Sequence, residues 1–276
     1  MSTATTGGVA YRMRRLRIYL RDLWSRREFA WYLAAGNIKA RNASTTLGLF
    51  WWVLNPLLLG LVYFLVFGLL FGGSRPDDYV AYLLSGMFVF HFTHQSMTGG
   101  ANSILQNTKL LANLKFPRMV LLIAAVIESA IGFAASLVVF YAIAIPTNGI
   151  YPSAATLWLA VVVPIHVLLN LGLAALVARV SVPFRDITNF LPYATRLWLY
   201  LSPVIWPLSL LESSDTLAAV ARFNPMFQVI ALYRTALMGN PFDPSALVSS
   251  AAWAIGVFLL GSALFVTYEN RLVRYL

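Results

Sequence analysis

The chain has 276 residues, 59% of them hydrophobic and only 11% charged, with no cysteine and a formal net charge of +10. A soluble domain holds about 25% charged residues, so a mean hydropathy of +0.73 here describes a membrane protein. Cysteine nucleophiles, disulfides, thiolate metal sites and iron–sulfur clusters are excluded, and nucleic-acid binding is not expected: nine basic residues, from Arg12 to Arg41, crowd ahead of the first apolar stretch, where cations mark a cytoplasmic membrane surface.

The first 47 residues are polar but patterned. Met13, Leu16, Leu20, Leu23 and Trp24 recur at helical spacing among arginines, which predicts an amphipathic helix lying in the membrane interface. Phe29, Trp31, Tyr32 and Leu33 add a second apolar patch. No cleavable leader is expected, because no short apolar segment ends in a small-residue site. Asn42 to Thr46 allow a turn into the bilayer, and Asn55-Pro56 falls in the first turns of the helix that follows.

Six stretches reach the ~20 apolar residues a span requires: 49–71, 80–103, 119–145, 156–178, 187–208 and 246–267. The expected fold is an all-α integral membrane protein with six transmembrane helices. It forms one domain over 1–276: an interfacial region 1–47, a six-span bundle 48–268 and a tail 269–276. With both termini in the cytoplasm, sixteen Lys and Arg residues fall on inside segments and Arg75, Arg222 and Arg234 fall outside, a strong positive-inside bias.

Two connections are patterned as well. In 104–118, Ile104, Leu105, Thr108, Leu111 and Ala112 share a helical face, and Pro117 ends it, so a short cytoplasmic helix is expected. The outer segment 209–245 is too long for a bare connector. Asn224 is placed to cap a helix, Pro225 to open it and Gly239 to close it, giving a helix over 225–238 too short to span. Short re-entrant helices in the outer leaflet are expected there.

The chain has no Gly-x-x-x-x-Gly-Lys-Ser/Thr phosphate loop, no His-Glu-x-x-His and no Gly-x-Ser-x-Gly. His91 and His94 lack a neighbouring carboxylate, so polar packing or pore lining is expected rather than a metal. Glu128 and Arg196 are the two charges inside spans, each about nine residues in from the cytoplasmic side, or ~14 Å deep. Either they pair, or each faces a hydrated cavity separately. Aromatic stripes at Tyr63, Phe67 and Phe71, at Phe88 and Phe92, and at Trp198, Tyr200 and Trp206 suit lipid packing or a pore whose rings stack on sugars.

These blocks together resemble the permease subunits of bacterial ABC transporters that export polysaccharides, the O-antigen, teichoic-acid and capsule exporters. The resemblance rests on REFAWYLAAGNIKARNASTTLGLFWWVLNPLL at 27–58, NTKLLANLKFPR at 107–118, PFRDITNFLPYATRLWLYLSPVIWPL at 183–208 and NPMFQVIALYRTALM at 224–238, and covers nearly the whole chain. It implies a transport subunit of the bacterial cytoplasmic (inner) membrane that is not itself an enzyme and binds no cofactor. It implies a homodimer with two copies of a separate ATPase, which would carry ATP and Mg, and a lipid-linked glycan as substrate. By similarity, Arg26, Arg27, Leu105, Lys109, Leu111, Lys115 and Arg185 would dock the ATPase. Asn224, Pro225 and Arg234 would belong to an external gate, and the aromatic stripes would line the channel. A drug or lipid permease on the same scaffold, and a membrane-embedded transferase, are the alternatives.

Overall fold

The computed structural model describes residues 17–42, 46–48, 50–71, 78–206, 221 and 223–272, with side chains left undescribed at 41, 42, 67–71 and 270–272. Met13, Leu16, the residues 43–45 of the expected turn, Arg75 and Arg222, and the rings of Phe67 and Phe71, therefore lie outside what is described. All the regular structure among the described residues is helical. Helix α1 covers 17–25, and α2 (Arg27–Asn42) follows after one turn residue. Then come α3 (Phe50–Phe71), α4 (Tyr79–Gln106), α5 (Thr108–Asn113) and α6 (Met119–Asn148). A 3-10 segment (Ala154–Trp158) leads into α7 (Leu159–Ser181), followed by α8 (Ile187–Tyr200), α9 (Pro225–Met238) and α10 (Pro244–Leu272).

Three stretches among the described residues are long and apolar enough to cross a membrane: Met119–Asn148, Ala154–Ser181 and Pro244–Glu269. Helix α3 is apolar apart from Asn55 and the Tyr63 hydroxyl, and carries Pro56 as its seventh residue. Pro56 therefore sits in the first turns of the helix, as expected, but beyond the residues whose amides are free, and it removes the intrahelical bond to the Trp52 carbonyl. The stretch 187–208 is not one helix. It stops at Tyr200 after 14 residues, about 21 Å, and turns through 201–206. The cause is Pro203, which disfavours helical backbone at Ser202. The connection 104–118, expected in the cytoplasm, also differs from expectation. Ile104 and Leu105 remain in α4, and the chain breaks at Asn107, whose side chain turns back to the Ser103 carbonyl at 2.8 Å, leaving α5 only six residues.

Helix α4 is the hub, packing against α3, α6, α7, α8 and α9. Small residues let its neighbours approach. A Cβ on Gly100 would lie 2.7 Å from that of Ala174 in α7, and one on Gly172 would lie 2.6 Å from the backbone of α10. Close backbone approach substitutes dispersion for the hydrophobic force that lipid cannot supply.

One end of the bundle gathers charge. Tyr19 donates to Glu269 Oε2 at 2.8 Å, the Arg118 amide donates to Glu269 Oε1 at 2.7 Å, and the Arg118 guanidinium donates to the Glu269 carbonyl at 2.7 Å. Arg179 lies 3.2 Å from the Tyr268 ring centroid at the same end. Burial, and then the Glu269 carboxylate, push the Tyr19 hydroxyl above its ordinary pKa, so it stays a donor. The N-terminal helices, the α5–α6 junction and the end of α10 are thereby tied together. The opposite end is capped by Trp158 stacked on Phe242 at 4.2 Å.

Candidate functional site

Two cavities lie side by side along α4. The first is a cleft between α3, α4 and α8, about 190 Å³, lined by Asn55, Pro56, Tyr63, His91, His94, Thr195 and Arg196 among others. Its polar groups come from three helices. Pro56 and Pro192 both face it, so the two helix-disturbing residues of its walls sit at the cavity rather than in lipid. His94 Nδ1 meets the Thr195 hydroxyl at 2.8 Å, and the Tyr63 hydroxyl donates to that of Tyr200 at 3.2 Å. Arg196 brings the cleft's positive charge from an exposed position on α8.

The second cavity, about 220 Å³, lies between α3, α4 and α6. Helix α4 faces it with His91, Gln95, Thr98, Asn102 and Gln106, and α6 with Glu128, Ser129 and Ser136. Trp52 closes it from α3, its ring so near Gly132 that a Cβ there would overlap it. His91 belongs to the walls of both cavities.

Glu128 and Arg196 therefore form no ion pair with each other among the described residues; each faces its own cavity. Equal depth placed them at one level, but depth does not determine the direction in which each helix presents its charge.

The aromatic residues divide by task. Phe88 and Phe92 wall the second cavity while remaining in the core, and Phe92 stacks on Phe133 at 4.9 Å. Trp198 lies edge-on to Phe90 and donates to Asn224 Oδ1 at 2.9 Å, and Trp206 donates to the Tyr200 carbonyl at 3.0 Å. Tyr63 lines the first cleft. Sequence reasoning missed the polar stripe of α4, although its spacing of four, three, four and four residues from His91 to Gln106 was a readable helical face.

Asn224 caps α9 by accepting from the Met226 amide at 3.0 Å, Pro225 opens the helix, and Gly239 closes it at φ 76°. The Asn224 amide also donates to Ser202 Oγ at 2.9 Å, fastening α9 to the turn after α8. Arg234 is fully buried. It donates to the carbonyls of Pro203 at 2.7 Å and Tyr82 at 3.2 Å, with its guanidinium 3.3 Å from the Tyr82 ring centroid.

Of the proposed docking residues, Arg26 donates to the Lys115 carbonyl at 3.3 Å, joining the N-terminal region to the α5–α6 junction. Leu111 packs into the apolar cluster at that end, while Arg27, Lys109, Lys115 and Arg185 are exposed and Leu105 is half-buried.

The sequence profile of a family described as ABC-2 type transporter matches residues 28–238. The O-antigen export system permease protein RfbA of Myxococcus xanthus is 28% identical over 252 residues, covering 91% of this chain and 95% of that protein. An O-antigen export system permease protein RfbA of Klebsiella pneumoniae is 22% identical over 241 residues, covering 87% of this chain and 92% of that protein.

Proposed function

This chain belongs to the ABC-2 type transporter family, and from that premise we propose that it is the transmembrane subunit of an exporter for a lipid-linked polysaccharide. It is a membrane transport subunit, and ATP hydrolysis belongs to a separate subunit of the transporter. The observation that carries the substrate reading is the cleft between α3, α4 and α8. There an arginine, two histidines, a tyrosine and an asparagine converge beside proline-disturbed helices. A cation among hydroxyl and amide groups suits a polar chain bearing an anionic end. The lipid tail of such a substrate would remain in the bilayer.

The proposed topology has six spans with both termini in the cytoplasm of a bacterial inner membrane. Helices α3 and α4, and α8 with the turn after it, join the three apolar spans. The polar stripe lowers the hydropathy of α4 but faces a cavity instead of lipid, which is where intramembrane polar groups are tolerated. Two copies would meet through the exposed apolar faces of α3 (Leu58, Leu61, Val62, Leu65) and α8 (Phe190, Tyr193, Leu197), which flank the cleft. Two partner ATPases, binding ATP and Mg, would dock through the exposed Arg26, Lys109, Lys115 and Arg185. Their closure would move the N-terminal helices and α5, and through the Tyr19–Glu269–Arg118 cluster the spans themselves. Weak contacts at many rings, including Tyr63, Tyr200 and Trp198, would let a polymer slide instead of stalling it. Helix α9, latched by Arg234 and Asn224, would gate the outer mouth.

Depletion of the chain in cells tests this reading. Lipid-linked glycan should accumulate on the cytoplasmic side, and an ATPase should copurify with the chain. Normal glycan export after depletion would reject it, and loss of drug efflux alone would favour a different cargo on the same scaffold.

A further inference from the structure

We infer that His94 is a specificity-determining acceptor in the cleft between α3, α4 and α8. With its tautomer set by Thr195, it takes a hydrogen bond from a sugar hydroxyl next to the anionic group that Arg196 holds. The ligand class is a glycosyl phosphate, and the assignment rests on the glycan-export reading.

The position of the ring hydrogen follows from the contacts of Thr195. Its hydroxyl oxygen lies 2.8 Å from the Leu191 carbonyl, 3.2 Å from the Pro192 carbonyl and 2.8 Å from His94 Nδ1. A carbonyl brings no hydrogen, so the single hydroxyl hydrogen of Thr195 serves that side. The contact with His94 then takes its hydrogen from Nδ1. The reverse assignment would leave two oxygen atoms 2.8 Å apart with no hydrogen between them. Thr195 is buried, which keeps water from taking over these contacts.

In the neutral ring Nε2 bears the lone pair and only accepts. His94 lines the cleft, and among the described residues its Nε2 makes no hydrogen bond. The neighbouring groups do not impose that sense. Arg196 donates only, while the Asn55 amide and the Tyr63 hydroxyl can each donate or accept. Thr195 and Arg196 are consecutive on α8, so the oriented ring and the cation meet the cleft at one turn of helix. A phosphate accepts on every oxygen and suits the guanidinium; a hydroxyl of the attached sugar suits Nε2. A lipid phosphate without sugar fills the first place and leaves Nε2 unpaired, which lowers its affinity. The cleft would thereby tell a glycan-bearing lipid from the bare phosphates of the bilayer.

The test uses the full-length chain in lipid nanodiscs at about pH 8, above the ordinary histidine pKa. The chain has three histidines, so solid-state NMR of histidine-labelled protein follows each ring, and His94→Phe identifies the signal that disappears. We expect His94 as the Nδ1–H tautomer, retained in Thr195→Ser and mixed in Thr195→Val. The binding probes are glucose 1-phosphate and cyclohexyl phosphate, a six-membered ring without hydroxyls. Wild-type protein should prefer glucose 1-phosphate about tenfold; His94→Phe and Thr195→Val should each remove the preference, and Thr195→Ser should keep it. Melting temperatures are read alongside. An Nε2–H or doubly protonated His94 in the wild-type protein overturns the assignment without recourse to any variant. A preference that survives in His94→Phe, or its absence from the wild type, overturns it too, and one that survives in Thr195→Val removes the positioning role of Thr195. Glycan accumulation on depletion, together with any of these results, rejects the inference and keeps the export reading; absence of accumulation rejects that reading itself.

Discussion

Arg234 leads the largest fully buried side chains, and it holds α9 against both α4 and the turn after α8. Each hydrogen bond from a charged donor contributes about 1.5–3 kcal/mol. With two such bonds, Arg234→Met should therefore cost about 3–6 kcal/mol, read as a lower melting temperature of the protein in detergent. Arg234→Lys should recover less than half of that, because an ammonium lacks the planar fork that bridges two carbonyls. The positive-inside count put Arg234 on the outer side, but its clamp was not legible: the acceptors are carbonyls of Tyr82 and Pro203, far away in the chain. Asn224 was legible, because a cap is a local device; its second role, holding Trp198 and Ser202, was not. Tyr19 belongs to this scale too. Its pKa is raised, so its protonated form carries the bond to Glu269; that stabilisation is complete below the ordinary tyrosine pKa of 10.0 and is lost only as pH rises through the higher folded value. Tyr19→Phe should lower the melting temperature equally at about pH 6 and about pH 8. A penalty that differs between them would show that another group carries it.

Helices were found where apolar length placed them, yet their interruptions depended on different forces. Apolar stretches of ~20 residues recover α3, α6, α7 and α10 because the period and length of burial are written locally. The stretch 187–208 read as one span, since Pro203 is only one residue in an apolar run, but the broken backbone leaves its carbonyl to Arg234. Packing between elements depends on glycines whose neighbours the sequence does not name. Gly172 meets the α10 backbone, while Gly256, in α10, has nothing within 4 Å of an added Cβ. Gly172→Val should prevent stable accumulation of folded protein, an overpacking cost of about 1–3 kcal/mol or more, whereas Gly256→Val should be tolerated. Size-exclusion profiles of the two variants in detergent decide this. Similar behaviour of the two would show that the α7–α10 crossing does not depend on close backbone approach.

At the scale of the whole molecule, the cytoplasmic reading of four separate segments converges on one end of the bundle. Tyr19, Arg118, Arg179 and Glu269 come from 17–25, the α5–α6 junction, the end of α7 and the end of α10, and they meet there. The positive-inside count had put those segments on one side without any knowledge of contact. The natural absence of cysteine makes topology directly measurable. Tyr151→Cys should react with an impermeant maleimide on intact spheroplasts, and Lys109→Cys should react only after permeabilisation. Labelling of both on intact spheroplasts would reject the proposed orientation.

Composition, apolar run length and the lopsided distribution of arginine established a helical membrane protein, the places of its long helices, the cap of α9 and the family blocks. All of these depend on neighbours within a few residues or on a sum over the chain. What Glu128 and Arg196 face was decided only in the folded protein. A residue's depth follows from its count along a helix, but its partner follows from the rotation of that helix against others. That rotation is determined by contacts such as Gly100 on Ala174 and Trp52 on Gly132, made between segments that the sequence keeps far apart.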